Sequence, residues 1–416
     1  SINSLLEQNL NKLKFDNLKI LATNNKIIPT FVALFILFVS YLLVPTFYKQ
    51  VDISRELKKE LLSKLNLDFT FNKNIKYNFF PRPHFISRKA SIIENQKNIA
   101  EINEIKIYVS LDNLFSTKNI DINEVILDNT NFELNNRNYN FFTKILDNKF
   151  LNINFKIKKS NIFFRNKENE VLFINKIKNL KYYFDPNEFK NVLSSENEIF
   201  NTPFSLEIVN QKDEKKFDTK LNLGSIGLKI ENIHNYGDEI KSGSTIIHHK
   251  KNKSFVNYEA NKNFFEFSYY NDLEKKKFLY NGKLNFNPFY SSLKGAAEEI
   301  NISYFFSTNA IITELLRTGI FNSKNIDFKL NIDANKIQKN RNFINFFLKS
   351  KIQEGLIDID NTQIDWKNNS TIKLTDTLIF VKDGKIFLDG KSQINIKNVK
   401  NIYKFLLTPK NFRKKI

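Results

Sequence analysis

An uncharged run of 18 residues, Ile27–Val44, constrains this chain more than any other feature. At about 1.5 Å rise per residue, a helix of this length spans about 27 Å, close to the hydrocarbon thickness of a bilayer. Lys26 and Lys49 bracket the run, and Tyr41 and Phe47 lie near its C-terminal end, where membrane spans often carry aromatic residues. The run therefore predicts a transmembrane helix, which we place at residues 27–48.

Two other interpretations of this run are weaker. A cleaved signal peptide requires a shorter basic leader and a site with small residues, whereas 26 residues precede the run and Val44-Pro45-Thr46-Phe47 ends it. A buried core helix is seldom apolar on every side in a chain with so few other helical patterns. We therefore expect an uncleaved, single-pass anchor. The predicted anchor residues are Phe31, Leu34, Phe35, Leu37, Phe38 and Leu42.

The flanking charges do not decide the orientation of this helix. Residues 1–26 carry four basic and two acidic side chains, and residues 49–64 carry five basic and three acidic ones, so the positive-inside rule gives no clear preference. A short leader with a large domain on the far side is the usual signal-anchor arrangement. We therefore expect residues 1–26 to form a cytoplasmic leader.

The composition excludes several kinds of functional site. The chain has no cysteine and four histidines, which removes disulfides, Fe–S clusters and thiol nucleophiles and leaves little room for a histidine metal site. Gly384–Ser392 approaches a phosphate loop, but it has five residues between its glycines and is followed by strand-like alternation, so it predicts a hairpin. Asp358–Asn361 leads into a segment without the glycine and glutamate of a calcium loop. We expect no enzymatic activity, no cofactor and no metal.

The charge balance by itself suggests an anionic partner. There are 64 Lys and Arg against 44 Asp and Glu, a net charge of +20. The lysines are spread along a chain that is also rich in Asn, Ile and Phe, as expected from A/T-rich codon usage and solvated strand faces. A membrane-tethered nucleic-acid binder would need a contiguous basic stripe with interleaved aromatic residues. We therefore expect no nucleic-acid partner.

Most of the chain after the first 66 residues alternates with a period of two. Apolar residues alternate with polar ones around 105–111, 151–157, 326–334, 357–360 and 394–397, which is the pattern of strands with one apolar and one wet face. Strands of this kind favour antiparallel sheets. About 20–25 strands fit the length at roughly 12 residues per strand and turn. Stacked side by side they would extend on the order of 100–120 Å.

A few segments have a helical period instead. Ile53, Leu57, Leu61 and Leu65 form one stripe of an amphipathic helix, and Asn66 suits the left-handed turn that ends it. Shorter helices are predicted after Asn287-Pro288 to Ile300, from Asn309 to Gly319 and from Asn398 to Pro409.

The first part of the chain resembles the AsmA-like family of Gram-negative envelope proteins. The resemblance is carried by Leu42–Pro45 at the helix exit, the amphipathic helix Ile53–Leu65, the segment Phe80–Phe85, and the stretches Ala100–Phe115 and Ile120–Leu127. A weaker match lies at 355–361, 364–366 and 383–390. The family typically has glycine after the amphipathic helix, where this chain has Asn66.

The resemblance implies an inner-membrane anchor and a periplasmic body, with an AsmA-like N-terminal region at 49–140 and an extended β-groove body at 141–416. The segment Thr408–Ile416 ends without a terminal element, which fits a chain truncated at its C-terminus. We expect that this chain needs a partner, an oligomer or further C-terminal residues to bridge the periplasm. The fold it implies is mainly β: a transmembrane and an amphipathic helix, then an elongated, twisted, cupped antiparallel sheet with a few short helices. The implied function is phospholipid movement toward the outer membrane. The implied partners are the inner membrane, phospholipid and outer-membrane assembly factors. A structural or regulatory adaptor in outer-membrane protein assembly, without lipid cargo, is the alternative.

The residues themselves also favour an apolar groove. Many strands present wide apolar faces, and few helices are predicted to cover them, so these faces must meet another sheet, curl on themselves or meet a ligand. Periodicity cannot separate a closed two-sheet sandwich from an open groove. The predicted groove lining is Ile105, Ile107, Val109, Leu111, Leu151, Ile153, Phe155, Ile157, Phe328, Leu330 and Ile332.

Overall fold

The structure, a computed structural model, is mainly β. It describes residues 27–413 apart from 73, 95, 113, 136–137, 139–140, 147–152, 166–168, 212–213, 236–239, 262–263, 272–278, 288–289, 303–309, 323–326 and 384. The predicted leader, residues 1–26, lies outside the described part.

Five α-helices and several short 3₁₀ turns lie in the described part of the chain. The α-helices are α1 (Ile27–Leu43), α2 (Gln50–Leu65), α3 (Phe141–Leu146), α4 (Ile311–Arg317) and α5 (Val399–Phe405).

The strands number 22 in the described part, within the predicted range. They are β1 (Asp68–Thr70), β2 (Ile75–Asn78), β3 (His84–Glu94), β4 (Lys97–Val109), β5 (Ile122–Leu134), β6 (Asn154–Arg165), β7 (Val171–Asp185), β8 (Lys190–Ile199), β9 (Thr202–Gln211), β10 (Lys216–Leu223), β11 (Leu228–Asn235), β12 (Lys241–His249), β13 (Asn252–Ala260), β14 (Phe264–Asn271), β15 (Leu279–Asn287), β16 (Tyr290–Ile300), β17 (Asp327–Ile337), β18 (Ile344–Gln353), β19 (Leu356–Asp358), β20 (Gln363–Trp366), β21 (Ser370–Lys382) and β22 (Lys385–Ile396).

The chain divides into two compact units. Unit 1 comprises Ser1–Lys97 and Ile102–Leu127, and unit 2 comprises Asn98–Glu101 and Asp128–Ile416. The domain boundaries expected from the sequence, at 48 and 140, stay predictions.

Helix α2 closes the core of unit 1. Its apolar stripe is completely enclosed, with Ile53 exposed by 3% and Leu57, Leu61 and Leu65 by 0%. As predicted, the helix ends where Asn66 adopts a left-handed conformation with φ of 55°. The core that it covers includes the strand residues Phe69, Ile75, Phe85, Ile92, Ile105, Ile107 and Ile122.

Unit 2 is built on a long series of neighbouring strands. From β6 to β16 each strand pairs antiparallel with the next one along the chain. Strand β17 pairs antiparallel with β18, which is followed by the short strands β19 and β20 and then by β21 and β22. The consecutive antiparallel order agrees with the alternating sequence pattern.

Two sequence predictions need correction in this unit. The helix predicted from Pro288 to Ile300 is wrong, because Tyr290–Ile300 forms strand β16. That strand pairs antiparallel with β15 and parallel with β17, so the sheet is mixed instead of wholly antiparallel. Hydrogen bonding on both sides overrides the helical spacing of apolar residues.

Other local predictions are confirmed. The segments predicted after Asn309 and Asn398 are helices α4 and α5, and the Asn398 side chain caps α5 by accepting a hydrogen bond from the Asn401 amide at 3.1 Å. Lys385–Ser392, the described part of the segment that approaches a phosphate loop, lies in β22, which pairs antiparallel with β21 as a hairpin would.

Candidate functional site

An apolar row of side chains crosses four adjacent strands of unit 2. Leu206 on β9 lies opposite Leu221 on β10, Leu221 opposite Ile230 on β11, and Ile230 opposite Ile247 on β12. Directly opposed residues of antiparallel strands point to the same face, so these four side chains form one line across the sheet. All four are half-buried, which leaves part of each side chain accessible. We call this line the apolar row.

Neighbouring residues widen the apolar row along the strands. Phe204 and Ile208 lie two residues either side of Leu206 on β9, and Leu223 and Leu228 lie two residues from their row members on β10 and β11. Because successive residues of a strand alternate between faces, residues two apart share a face. Except for buried Leu228, these side chains are half-buried as well. The face is therefore a broad apolar surface.

The opposite face of the same strands is charged. Lys220 on β10 forms an ion pair with Glu207 on β9 at 2.9 Å, and both residues are adjacent in sequence to members of the apolar row. Lys176 and Glu198 form a similar pair at 2.8 Å between β7 and β8. Ile233 on β11 also points to this face and is 50% exposed, so the ion-paired face is mixed. The face of the apolar row is the better candidate for a hydrophobic ligand, because its four aligned side chains are all aliphatic.

A polar cluster lies beside the apolar row on the same face. The Asn232 Oδ1 atom accepts hydrogen bonds from the Thr245 hydroxyl at 2.7 Å and the Tyr258 hydroxyl at 2.9 Å, and Asn232 Nδ2 lies 3.3 Å from His234 Nδ1. Gly243 leaves space for the Tyr258 ring, because an added Cβ would lie 2.3 Å from it.

Burial sets the protonation state of this polar cluster. Desolvation lowers the pKa of His234, with a further lowering from Lys241, so the imidazole is neutral at pH 7. Desolvation also raises the pKa of Tyr258, which keeps its hydroxyl protonated. The cluster is therefore an uncharged polar strip next to an apolar surface.

Two short helices pack on this face at positions away from the apolar row. The backbone oxygen of Leu146, the last residue of α3, accepts hydrogen bonds from Asn191 at 3.1 Å and Asn210 at 2.9 Å, and the Tyr182 hydroxyl donates to Phe142 O at 2.6 Å. Helix α3 is thereby fixed to β7, β8 and β9.

Helix α4 packs on the later strands of the same unit. Leu316 belongs to a core cluster with Ile300, Ile332 and Leu348, and Glu314 forms an ion pair with Lys250 at 2.9 Å. The two helices therefore contact the sheet on either side of the apolar row: α3 reaches β9 through Asn210, and α4 pairs with Lys250, the residue directly after β12.

An open cavity of about 690 Å³ lies at strands β12 to β15. It is lined by Tyr258 and Phe267 from the apolar face, but also by Glu259, Glu266 and Lys283, which belong to the charged face. The charged lining makes this cavity a poorer place for an acyl chain than the apolar row.

The sequence-predicted lining residues fall in three places. Ile105, Ile107 and Val109 are buried in unit 1, where protein side chains enclose them, whereas Leu111 is 44% exposed. In unit 2 a second group is buried on β6 or just before it, and Leu151 lies outside the described residues. The members of that group are Ile153, Phe155 and Ile157.

The third group lies on β17, where Ile332 is buried in the cluster under α4 and Phe328 and Leu330 are half-buried beside it.

One predicted lining residue of the second group, Ile157, is in register with the apolar row. It lies opposite Leu180, which lies opposite Ser195, which in turn lies opposite Leu206. That any of the predicted residues contacts lipid stays a prediction.

Sequence reasoning missed the apolar row itself. Its signal was present, because Phe204, Leu206 and Ile208 alternate with polar residues, as do Leu221 and Leu223. These alternations of apolar and polar residues span only three to five residues, fewer than most of the segments from which strands were predicted. Which of them lie next to one another depends on strand register, which the sequence does not give.

Helix α1 has the properties predicted for the anchor. The window Thr30–Phe47 has 18 residues, a mean hydropathy of 2.2 and 6% of its residues buried, so it is long and apolar enough to cross a membrane. The predicted anchor residues Phe31, Leu34, Phe35, Leu37 and Phe38 are each more than half exposed, and Leu42 is half-buried. The α-helical part ends at Leu43 and continues as a 3₁₀ turn, Val44–Phe47.

These features define a class of mainly β protein that combines one candidate membrane helix with a sheet that is apolar on one face and charged on the other. The AsmA family profile matches residues 23–264, which is more than half of the chain. The chain therefore belongs to the AsmA family, as the resemblance predicted. Comparison with curated proteins gave no match. Within the described residues, no group of three or more His, Asp or Glu could hold a metal ion.

Proposed function

We propose that this protein is anchored in the bacterial inner membrane by α1 and handles phospholipid in the periplasm along the apolar face of unit 2. Membership of the AsmA family supports a role in the cell envelope. The observation that carries the lipid proposal is the apolar row, four half-buried aliphatic side chains in line across β9 to β12.

The chemistry of the apolar row suits an acyl chain. Each methylene that leaves water contributes roughly 0.8 kcal/mol, and this contribution does not depend on direction. A chain lying across the strands would meet Leu206, Leu221, Ile230 and Ile247 in turn. Because no directional bond fixes it, the lipid can move along the surface without a catalytic residue, and the proposal includes no enzymatic step.

The test compares two carboxylates at adjacent positions of β10. Leu221→Asp places a charge in the apolar row, and Asn222→Asp places the same charge on the opposite, exposed face. Both full-length variants and the parent are purified in detergent, and bound phospholipid is measured by mass spectrometry. We expect the parent to retain phospholipid and Leu221→Asp to reduce it about tenfold, because an unpaired carboxylate is costly in an apolar contact.

Asn222→Asp is expected to bind phospholipid like the parent. Equal retention by both variants would contradict the assignment of the apolar row. A parent protein that carries no phospholipid would favour the alternative function, an adaptor in outer-membrane protein assembly. Circular dichroism of each variant checks that the change in lipid does not follow from unfolding.

A further inference from the structure

Five large apolar side chains of unit 1 are exposed close to the end of α1. The exposed fractions are 85% for Phe47, 42% for Phe79, 79% for Phe80, 44% for Leu111 and 70% for Phe115. We call these five residues the collar. Exposed apolar side chains that occur singly are ordinary, but a group attached to one helix end indicates an interaction surface.

Direct contacts attach the collar loops to α1. The Tyr41 ring on α1 lies 4.7 Å from the Phe115 ring, and the Leu114 amide donates to the Tyr41 hydroxyl at 3.1 Å. The Tyr41 hydroxyl in turn donates to the Leu111 carbonyl. The loop that carries Leu111 and Phe115 is therefore held at the level of Tyr41.

The loop that carries Phe79 and Phe80 is attached in the same way. It follows β2, whose Tyr77 donates from its hydroxyl to the Leu42 carbonyl at 2.7 Å. Leu42 is the penultimate residue of α1, so this bond also satisfies one of the carbonyl groups left free at a helix end. The Leu111–Phe115 loop thus contacts the last turn of the helix directly, and the Phe79–Phe80 loop follows a strand that is bonded to the same turn.

The level of these contacts lies inside the apolar window. Tyr41 precedes Phe47, the end of the window, by six residues. At about 1.5 Å per residue to Leu43 and about 2 Å per residue through the 3₁₀ turn, this corresponds to about 11 Å along the axis, close to the depth at which amphipathic groups sit at a membrane surface. A bilayer that covers the whole window must therefore also reach Leu111 and Phe115.

The hydrogen bonding of the Leu111–Phe115 loop fits this position. A loop that lies close to the hydrocarbon is stabilised by internal partners for its backbone groups, because the hydrocarbon itself offers no water to bond them. Tyr41 accepts from the Leu114 amide and donates to the Leu111 carbonyl, and the Tyr48 hydroxyl donates to the Leu114 carbonyl. Asp112 in the same loop is bonded by the Ser110 hydroxyl at 2.9 Å, and its charge places the loop among headgroups and not in the hydrocarbon.

We infer that the collar rests in the lipid interface around the exit of α1, so that the partner of this surface is the bilayer itself. This inference depends on the proposed anchoring by α1. The occupant follows from continuity with the segment that is long and apolar enough to span a membrane: Phe47 ends this segment, and Phe115 and the Leu111 carbonyl contact Tyr41 within it. Aromatic rings favour the interface over either water or hydrocarbon.

The chain has no cysteine, so single-cysteine variants of the full-length protein can be labelled at one position. Phe80→Cys and Phe115→Cys test the collar, and Leu37→Cys within α1 reports the anchor. Phe189→Cys is the matched control, because Phe189 is 69% exposed against 70% for Phe115 but lies in unit 2. Each variant carries an environment-sensitive dye and is reconstituted in phosphatidylethanolamine–phosphatidylglycerol vesicles with nitroxide-labelled lipid.

We expect at least about twofold more nitroxide quenching at positions 80 and 115 than at position 189, as for groups in the interface. Quenching at position 37 with none above the control at 80 and 115 would overturn the collar alone. No quenching at position 37 would overturn the anchoring and the collar with it. Phospholipid retained by the detergent-purified Phe80→Ser/Phe115→Ser variant is measured separately, so failure of the apolar row is distinguishable from failure of the collar.

Discussion

The two units differ in how completely helices cover the apolar faces of their strands. In unit 1 one helix of 16 residues, α2, places four apolar side chains against the sheet, and each of them is exposed by 3% or less. In unit 2 the helices that pack on the face, α3 and α4, have only six and seven residues, and the apolar row between them is half-buried.

This difference separates a stabilising core from the proposed binding surface. Apolar area that the protein itself covers contributes to its own free energy of unfolding, whereas apolar area left accessible can contribute to binding. The closed core of unit 1 lies next in sequence to the apolar helix α1, where a rigid support is useful. The partly open face of unit 2 leaves the apolar row accessible to a hydrophobic ligand.

The largest expected effect is a difference in what the two units lose when an aliphatic side chain is shortened. Leu57→Ala removes a completely buried side chain, so we expect the free energy of unfolding of unit 1 to fall by about 3 kcal/mol. Ile230→Ala in the half-buried apolar row should cost unit 2 only about 1 kcal/mol. Urea unfolding followed by hydrogen exchange of peptides from each unit measures both values, and equal losses would contradict the comparison.

A second prediction concerns ion pairs. Glu124 in unit 1 is 3% exposed and is paired with Arg82, whereas the pair of Lys391 and Asp376 in unit 2, at 2.9 Å, lies open to water. Arg82→Gln should destabilise unit 1 by about 2 kcal/mol, because a buried carboxylate loses its countercharge. Lys391→Gln, the matched control, should cost less than about 0.5 kcal/mol.

Glu124→Gln gives a sharper form of the ion-pair test. It removes the charge that needs compensation, so we expect a smaller loss than for Arg82→Gln. Thermal unfolding of the four proteins at low and high salt provides the comparison. A loss for Lys391→Gln as large as that for Arg82→Gln would show that burial does not distinguish the two pairs.

A third prediction addresses the attachment of α3 in unit 2. The hydroxyl of Tyr182, a completely buried residue, donates to the Phe142 carbonyl at 2.6 Å. Tyr182→Phe keeps the ring but removes this bond, so α3 should be destabilised by about 1 kcal/mol. Faster hydrogen exchange confined to Phe141–Leu146 would report it. Unchanged exchange there would show that Asn191 and Asn210 hold the helix without Tyr182.

The sequence predicted the closed unit better than the open one. The stripe Ile53–Leu65 specified both the helix and its buried face, because a period of 3.6 residues has one apolar side. The alternating segments likewise predicted the strands. Both are local signals that survive in the structure.

The position of the open surface depends on pairings between distant residues. Leu206 and Ile247 are 41 positions apart and become members of one line only through the registers of β9, β10, β11 and β12. The same limit explains strand β16, where a helical spacing of apolar residues gave way to pairing with β15 and β17. Sequence periodicity gives the face of each strand, but it does not say which faces a helix will cover.

The smallest expected effect is a pH dependence of unit 1 that comes from Tyr77. Burial, together with the charges that neighbouring Tyr48 and Tyr41 would carry on ionisation, raises the pKa of Tyr77 to about 12. The folded state therefore holds this proton more tightly than the unfolded chain, in which tyrosine titrates near pH 10. The stabilisation is complete below pH 10 and is lost as the pH rises toward 12.

Tyr77→Phe tests this pH dependence and the attachment of the helix end together. Without the hydroxyl, the bond to the Leu42 carbonyl is lost, and unit 1 should be slightly less stable at pH 8. Its stability should then decline less steeply between pH 10 and 12 than that of the parent. Because Tyr77 is only partly buried, we expect a modest difference, visible as a shift of the urea midpoint in detergent. Parallel pH profiles for the two proteins would mean that Tyr77 is not the group whose titration lowers the stability of unit 1.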